Sequence, residues 1–225
     1  MDIPFIPDQL FELNPDRSPV EVHENWISVD NFYKNYDLIF DVLSGMPKET
    51  WKYKEGSRNF VDYYDCRPTI QNHMGYGTKS AQENTKLLTH WINTYLRPDE
   101  TPKKMSLEGK RASLDFNMFK FVKEYDYPYQ HCIHKDVGWT AIIYLDKVAD
   151  GGTALYKSPF NGQSEFVSVM QDVSEETLIE VIPAKPNRLA IFKGSEIAHS
   201  AWFNDHRKYI DNWRINQVIF LTEDD

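Results

Sequence analysis

Apolar residues recur along this chain with two different periods, and the change falls near residue 110. Upstream, the spacing is helical in two places. "SVDNFYKNYDLIFDVLSGMPK" (28–48) predicts a helix capped by Ser28 or Asp30 and stopped by Gly45 and Pro47. "KSAQENTKLLTHWINTYLRPDE" (79–100) sets Leu87, Leu88, Trp91, Ile92 and Leu96 three or four apart and predicts a second helix ending before Pro98. Between them "RNFVDYYDCRP" reads as a strand. From about residue 112 the runs shorten. "ASLDFNMFKFV", "WTAIIYL", "GTALYK", "TLIEVIP", "NRLAIFK" and "RINQVIFL" fit strands, broken by "DGG", "PFNGQ", "KPN" and "FNDH". The pattern predicts a mainly β, α+β architecture, a sandwich or barrel braced by N-terminal helices. No repeat or linker divides it. We expect a single domain over 1–225, with a helical support region over about 1–105 and a β core over about 106–225.

Composition narrows the class. The chain has 225 residues, 41% hydrophobic and 14% aromatic, enough to fold around its own core. Its 25 basic and 34 acidic residues give a formal charge of −9, which disfavours a nucleic-acid-binding surface. Cys66 and Cys132 form neither a disulfide framework nor a CxxC pair, which suits a reducing compartment. The first residues lack the basic-then-apolar pattern of a secretory signal, and no run approaches the roughly 18 apolar residues of a membrane span. These features predict a soluble cytoplasmic protein.

Chemistry concentrates in the β half. Most of the seven histidines have no partner in the pattern; His90, inside a helical stretch, reads as a structural or surface residue rather than a ligand. His134 differs, because His134-Lys135-Asp136 stands at the mouth of the apolar run "WTAIIYL" and offers an imidazole and a carboxylate to one point. His199 follows the strand "NRLAIF". Two histidines and a carboxylate on neighbouring strands leave the opposite side of a metal open, as in non-haem Fe(II) oxygenases, and zinc accepts the same donors. In "WRINQVIFL", alternation sets Arg214, Asn216, Val218 and Phe220 on one face. An inward arginine requires an anion, which can be the free end of a metal-chelating dicarboxylate or a protein carboxylate; its fork suits either. Arg207 and Lys208 are nearer His199 but lie in a polar loop. Tyr125, Tyr127 and Tyr129 line a substrate mouth or pack the barrel rim, His131 is read as a support of the ligands or a surface residue rather than a ligand, and Cys132 as a small packing residue rather than a reactive thiol.

Taken in order, these motifs resemble the Fe(II)- and 2-oxoglutarate-dependent dioxygenases, prolyl-4-hydroxylase-like branch, over residues 112–221. The matching residues are His134-Lys135-Asp136, Tyr144-Leu145-Asp146 where members have Tyr-Leu-Asn, Gly151-Gly152-Thr153, "PAKPNRLAIF", His199 and Arg214. The resemblance implies a double-stranded β-helix (a jelly roll, cupin-like), with His134, Asp136 and His199 as iron ligands. It implies Arg214 and Tyr144 on the distal carboxylate of 2-oxoglutarate, with Lys208 in reserve because Arg214 follows His199 by a longer loop than in many members. The retained Asp136 separates the chain from the related halogenases. The implied cofactors are Fe(II) and 2-oxoglutarate, with ascorbate as an optional addition. The implied reaction is hydroxylation, by O2, of an unactivated C–H bond of a peptide, prolyl or small-molecule substrate, releasing succinate and CO2. The rival readings are a metal-binding jelly-roll module and a cupin-type metalloenzyme that does not use 2-oxoglutarate.

Overall fold

The computed structural model describes residues 8–45, 64–71, 79–97, 114–121, 130–157, 165–168 and 177–221; of 64–71, 79–82, 114–121, 130–132 and 165–168 it describes the backbone. In chain order the strands and helices are β1 (Glu21–Val22), β2 (Trp26–Val29), α1 (Tyr36–Gly45), β3 (Tyr64–Gln71) and α2 (Lys79–Trp91), which runs on into a π-helical turn, Ile92–Leu96. There follow β4 (Leu114–Phe121), β5 (Gln130–Ile133), β6 (Trp139–Tyr144), β7 (Gly152–Tyr156) and β8 (Glu165–Ser168). Last come β9 (Leu178–Pro183), β10 (Arg188–Phe192), β11 (Ala198–Trp202), α3 (Lys208–Asp211) and β12 (Arg214–Leu221). The fold is mainly β and its sheets are antiparallel. A seven-stranded sheet has the order β1-β2-β10-β6-β12-β4-β3, a three-stranded sheet β11-β7-β9, and a pair β5-β8. Among the described residues, no helix is long and apolar enough to cross a membrane.

Strand β6 is buried at every position because both of its faces are covered. On one face Ala141 and Ile143, with Leu189, Ile191, Ile215 and Ile219 of the flanking strands, pack against Ile39 and Leu43 of α1 and Leu88 and Trp91 of α2. On the other, Ile142 and Tyr144 join Ala190, Phe192 and Val218 and meet Leu155 of β7 and Ile182 of β9. This two-sided burial explains a continuous apolar run where a half-exposed strand would alternate. Each large side chain withdrawn from water contributes roughly 1.5–3 kcal/mol. Polar contacts set the register between layers. Tyr33 donates from its hydroxyl to Gln217 Oε1 at 2.6 Å, and its backbone exchanges two 2.8 Å bonds with the Asn187 side chain.

The first predicted helix is corrected in part. It ends at Gly45 as expected but begins only at Tyr36, so neither Ser28 nor Asp30 caps it. Residues 26–29 are β2, all four buried and paired with β10 from Leu189 to Phe192. Burial on both sides outweighed the helical spacing. Asp30, just beyond, takes Arg188 at 2.7 Å. The second helix stops before Pro98 as predicted, and residues 58–63 of the expected early strand lie outside the described part.

The turn between β6 and β7 requires glycine. Gly151 has φ +71°, and a Cβ there would lie 2.0 Å from the Trp202 carbonyl oxygen, a backbone atom that cannot swing aside. Gly151→Ala should therefore lose on the order of 2 kcal/mol or more of stability. Chemical denaturation would measure it, and an unfolding midpoint equal to that of the parent would contradict the strained conformation.

Candidate metal centre

The chain beyond β5 reaches His134, which forms an isolated antiparallel bridge with His199 of β11. Each backbone N–H donates to the other's carbonyl, at 3.1 and 2.9 Å. Residues opposed in this way project to the same side of the pair, and the two imidazole centroids are 4.5 Å apart. Asp136 follows two residues after His134, with its backbone N–H on the Gly194 carbonyl at 3.0 Å. Its Oδ2 is 2.9 Å from His199 Nε2 and its Oδ1 3.7 Å from His134 Nε2. One donor atom from each of the three residues lies within 4.8 Å of the others. Metal bonds of about 2.0–2.2 Å set neighbouring ligand atoms roughly 3 Å apart; the Asp136–His199 pair is at that separation, and small side-chain rotations of His134 would bring the third donor to the same ion.

Local contacts aim these donors. His199 Nδ1 lies 3.1 Å from the Ile197 carbonyl; donating there directs Nε2 toward Asp136. Phe192 packs edge-on against the His199 ring, 4.8 Å between centroids. Burial alone would raise the Asp136 pKa, but the hydrogen bond and charge of His199 and the Thr140 hydroxyl outweigh it and hold the carboxyl below its usual range. The carboxylate's contribution to folding is thus present above the ordinary pKa and is lost as pH falls through the lowered one. Side-chain exposure falls from 39% at His134 through 14% at Asp136 to 5% at His199, so the cluster meets solvent on the His134 side.

Arg214 lies where alternation predicted. Asn216, Val218 and Phe220 pair with Tyr144, Ile142 and Thr140 of β6 and line the space between the sheets. Arg214 is buried at the end of that face. Its Nη2 donates to the Gly152 carbonyl at 3.4 Å, and Nη1 to the Asn216 side-chain oxygen at 2.7 Å once that amide takes the orientation that satisfies both of its atoms. The guanidinium carbon is 5.2 Å from the Phe203 ring. Tyr144, on the same face, shares a 2.7 Å hydrogen bond with Thr153, and burial pushes its pKa up to about 12, so it stays a neutral hydroxyl. The cations weighed as substitutes are engaged elsewhere: Lys208 bonds Asp150 at 2.6 Å and Arg207 bonds Asp205 at 2.7 Å.

The remaining candidates separate cleanly. His90 is exposed on α2, and His206 stands ahead of α3 outside the cluster. The side chains of His131 and Cys132, and Tyr125, Tyr127 and Tyr129, lie outside the described residues. Sequence reasoning missed Thr140, whose hydroxyl donates to Asp136 Oδ2 at 2.7 Å, and the Gly194 and Ile197 carbonyls. The only signal for Thr140 was a polar residue at an inward position of β6, and backbone carbonyls leave none.

No family model matches the chain, and no curated protein matches it. Solved structures similar to it include a Pseudomonas putida prolyl-4-hydroxylase, 14% identical with a TM-score of 0.45, covering 89% of this chain and 94% of that one. The Fe(II)/α-ketoglutarate-dependent dioxygenase TqaL is 12% identical with a TM-score of 0.39, covering 64% of this chain and 55% of its own. A bsmA homolog from Methylobium petroleophilum PM1 is 14% identical with a TM-score of 0.39, covering 70% of this chain and 55% of its own. The first two are proteins of the kind the motifs resemble.

One carboxyl near Arg214 carries a pH signature. Asp146 is 1% exposed; Oδ1 accepts from Val148 N, Ala149 N and the Tyr209 hydroxyl, while Oδ2 has no hydrogen-bond partner. Burial raises its pKa above the ordinary 3.8 despite the nearby charge of Arg214. A raised carboxyl works against the fold once ionised: the handicap is absent below the ordinary pKa and complete above the raised one. Asp146→Asn keeps the acceptor without the charge. It should be more stable than the parent at pH 8, by on the order of 1 kcal/mol, with the gain vanishing toward pH 4. Urea unfolding across that range reads the difference, and a variant less stable at pH 8 would refute the assignment.

Proposed function

We propose that this chain is a non-haem Fe(II)- and 2-oxoglutarate-dependent oxygenase that hydroxylates an unactivated C–H bond of a peptide, prolyl or small-molecule substrate. The observation that carries the reading is the pairing of a His-Asp-His cluster, open to solvent on one side, with a buried arginine on the inner face of the last strand. The chemistry of the donors favours a metal that must bind further ligands, because three protein groups leave positions free. The scaffold we assign is a single-domain double-stranded β-helix. Its support is the strand order: β4, β5, β6 and β7 fall alternately in the large sheet and the smaller ones, and β10, β11 and β12 do so again.

His134, Asp136 and His199 would hold the iron, which when bound supplies the oxygen activation that protein side chains lack. The protein's own part is binding and exclusion. Arg214 offers a fork to the far carboxylate of 2-oxoglutarate, and the neutral Tyr144 hydroxyl a further hydrogen bond. Ile142, Val218, Leu155 and Phe192 keep the space between the sheets apolar, which strengthens those contacts by excluding water. One oxygen atom of O2 enters the hydroxylated product and the other enters succinate, with CO2 released.

The cupin-type reading would pair Arg214 with a protein carboxylate, and Asp146 lies near enough for its carboxyl to feel the arginine's charge. Anaerobic titration of 2-oxoglutarate into the Fe(II)- or Mn(II)-loaded protein separates the two readings. Charge-assisted hydrogen bonds of roughly 1.5–3 kcal/mol predict that Arg214→Ala weakens binding about tenfold to a hundredfold or more, while metal affinity is nearly unchanged. Arg214→Lys should recover part, and Lys208→Ala should bind normally. A parent protein that takes up metal but no 2-oxoglutarate would leave the cupin-type reading standing. Normal binding by Arg214→Ala with loss in Lys208→Ala would move the anchor to the loop.

A further inference from the structure

We infer that Thr140 is a positioning residue of the metal centre, orienting the Asp136 carboxylate through a hydroxyl held in a seat that a glycine at 194 leaves open. The inference rests on the metal-binding reading above and adds a residue outside the ligand set. Thr140 stands at the metal end of the inner face of β6, opposite Phe192 of β10 and Phe220 of β12, and is 1% exposed. A hydroxyl so placed has little water to bond and must find a protein acceptor. It finds Asp136 Oδ2, at 2.7 Å.

The geometry makes this bond more than local satisfaction. The oxygen that accepts from Thr140 also faces His199 Nε2 at 2.9 Å, while Oδ1 is turned toward His134. The hydroxyl occupies one lone-pair direction of Oδ2 and so fixes how the carboxylate is rotated between the two imidazoles. Threonine suits the role because two heavy substituents on Cβ restrict its first side-chain torsion in a strand. The seat is tight. A Cβ at Gly194 would come within 2.2 Å of Thr140 Oγ1 and 3.0 Å of Asp136 Cβ. The same residue's carbonyl accepts the Asp136 N–H at 3.0 Å, and Ile197, three residues on, takes His199 Nδ1 at 3.1 Å. The segment 194–197 therefore holds the Asp136 backbone and the His199 ring, and Thr140 supplies the remaining restraint, on the carboxylate.

Mn(II) affinity of the full chain, measured by calorimetry alongside urea unfolding of the metal-free protein, tests this. Outer-shell partners of metal ligands typically cost about 10–100-fold in affinity when removed. Thr140→Val, which keeps the shape and loses the donor, should bind Mn(II) weaker by that factor. Thr140→Ala, which loses the donor without the matched shape, should do the same should the valine variant fail to fold. Thr140→Ser restores the donor and should bind within about threefold of the parent, since one hydrogen bond is the difference at issue. If the parent binds Mn(II) and Thr140→Val and Thr140→Ala bind it equally well, the positioning role is wrong while the metal reading survives. Equal losses in the serine and valine variants would make Thr140 a packing residue and overturn the inference. A parent that binds no Mn(II) would remove the metal reading and this inference together.

Discussion

Two backbone hydrogen bonds between His134 and His199 carry the rest of the arrangement. They join the β5-β8 pair to β11, and through β11 to β7 and β9, so that the smaller sheets act as one layer opposite the seven-stranded sheet. Because opposed residues of an antiparallel pair share a face, the contact that closes the layer also brings two imidazoles together. The spacing of His134 and Asp136 then does the remainder. Residue 134 is still in the pairing, residue 136 has left it, and the carboxylate turns back toward the rings. Fold closure and site assembly are one event here.

The opposite end of the interior handles charge differently. At the histidine end, the hydrogen bond and charge of His199 and the Thr140 hydroxyl keep the Asp136 carboxylate ionised despite its burial. At the arginine end, Asp150 is 2% exposed and is satisfied by the Asn204 and Asp205 backbone N–H groups and by Lys208. Tyr209, wholly buried, bridges Asp146 and the Asp150 backbone. These bonds fasten the loop after β11 to the turn after β6, which explains why the loop can be long without loosening the start of β12. A buried charge without such partners would cost several kcal/mol, so the loop's polar residues are structural requirements of the last strand. They also account for Lys208: its charge is engaged by Asp150 in the turn after β6.

Much of this was legible in the sequence, for physical reasons that differ by element. β6 and β10 were readable because burial on both faces leaves uninterrupted apolar runs. The grouping of Arg214, Asn216, Val218 and Phe220 on one face of β12 was readable because a strand's period of two admits only two faces, while both faces carry buried apolar residues, one against the helices and one against the smaller sheets. The three metal-grade residues were readable because few residue types can do that work. By contrast, "WISV" at 26–29 reads as helix or strand with equal ease: four residues hold about one helical turn, and only their partner, β10, decides. The pairing of Thr140 with Gly194 was beyond reach for a related reason. Each is ordinary in its own segment, and their meaning lies in an atomic separation between parts of the chain distant in sequence.

That contrast bears on how such a centre is specified. Donor identity is a property of single residues, and substitution of any one of them removes it. Donor orientation is a property of the packed state. The Ile197 carbonyl and the Thr140 hydroxyl each orient a donor within their own segment, whereas the Gly194 carbonyl reaches Asp136 only because β6 and β10 are held in register by an apolar interior. A change in that interior that shifted β10 against β6 by a fraction of an ångström would lengthen the Asp136–Gly194 contact while leaving the local Thr140–Asp136 and Ile197–His199 contacts intact. The sandwich interior around Ile142, Phe192 and Val218 is therefore part of the candidate metal centre in a mechanical sense: its packing density tolerates little displacement of the strands that carry the three side chains.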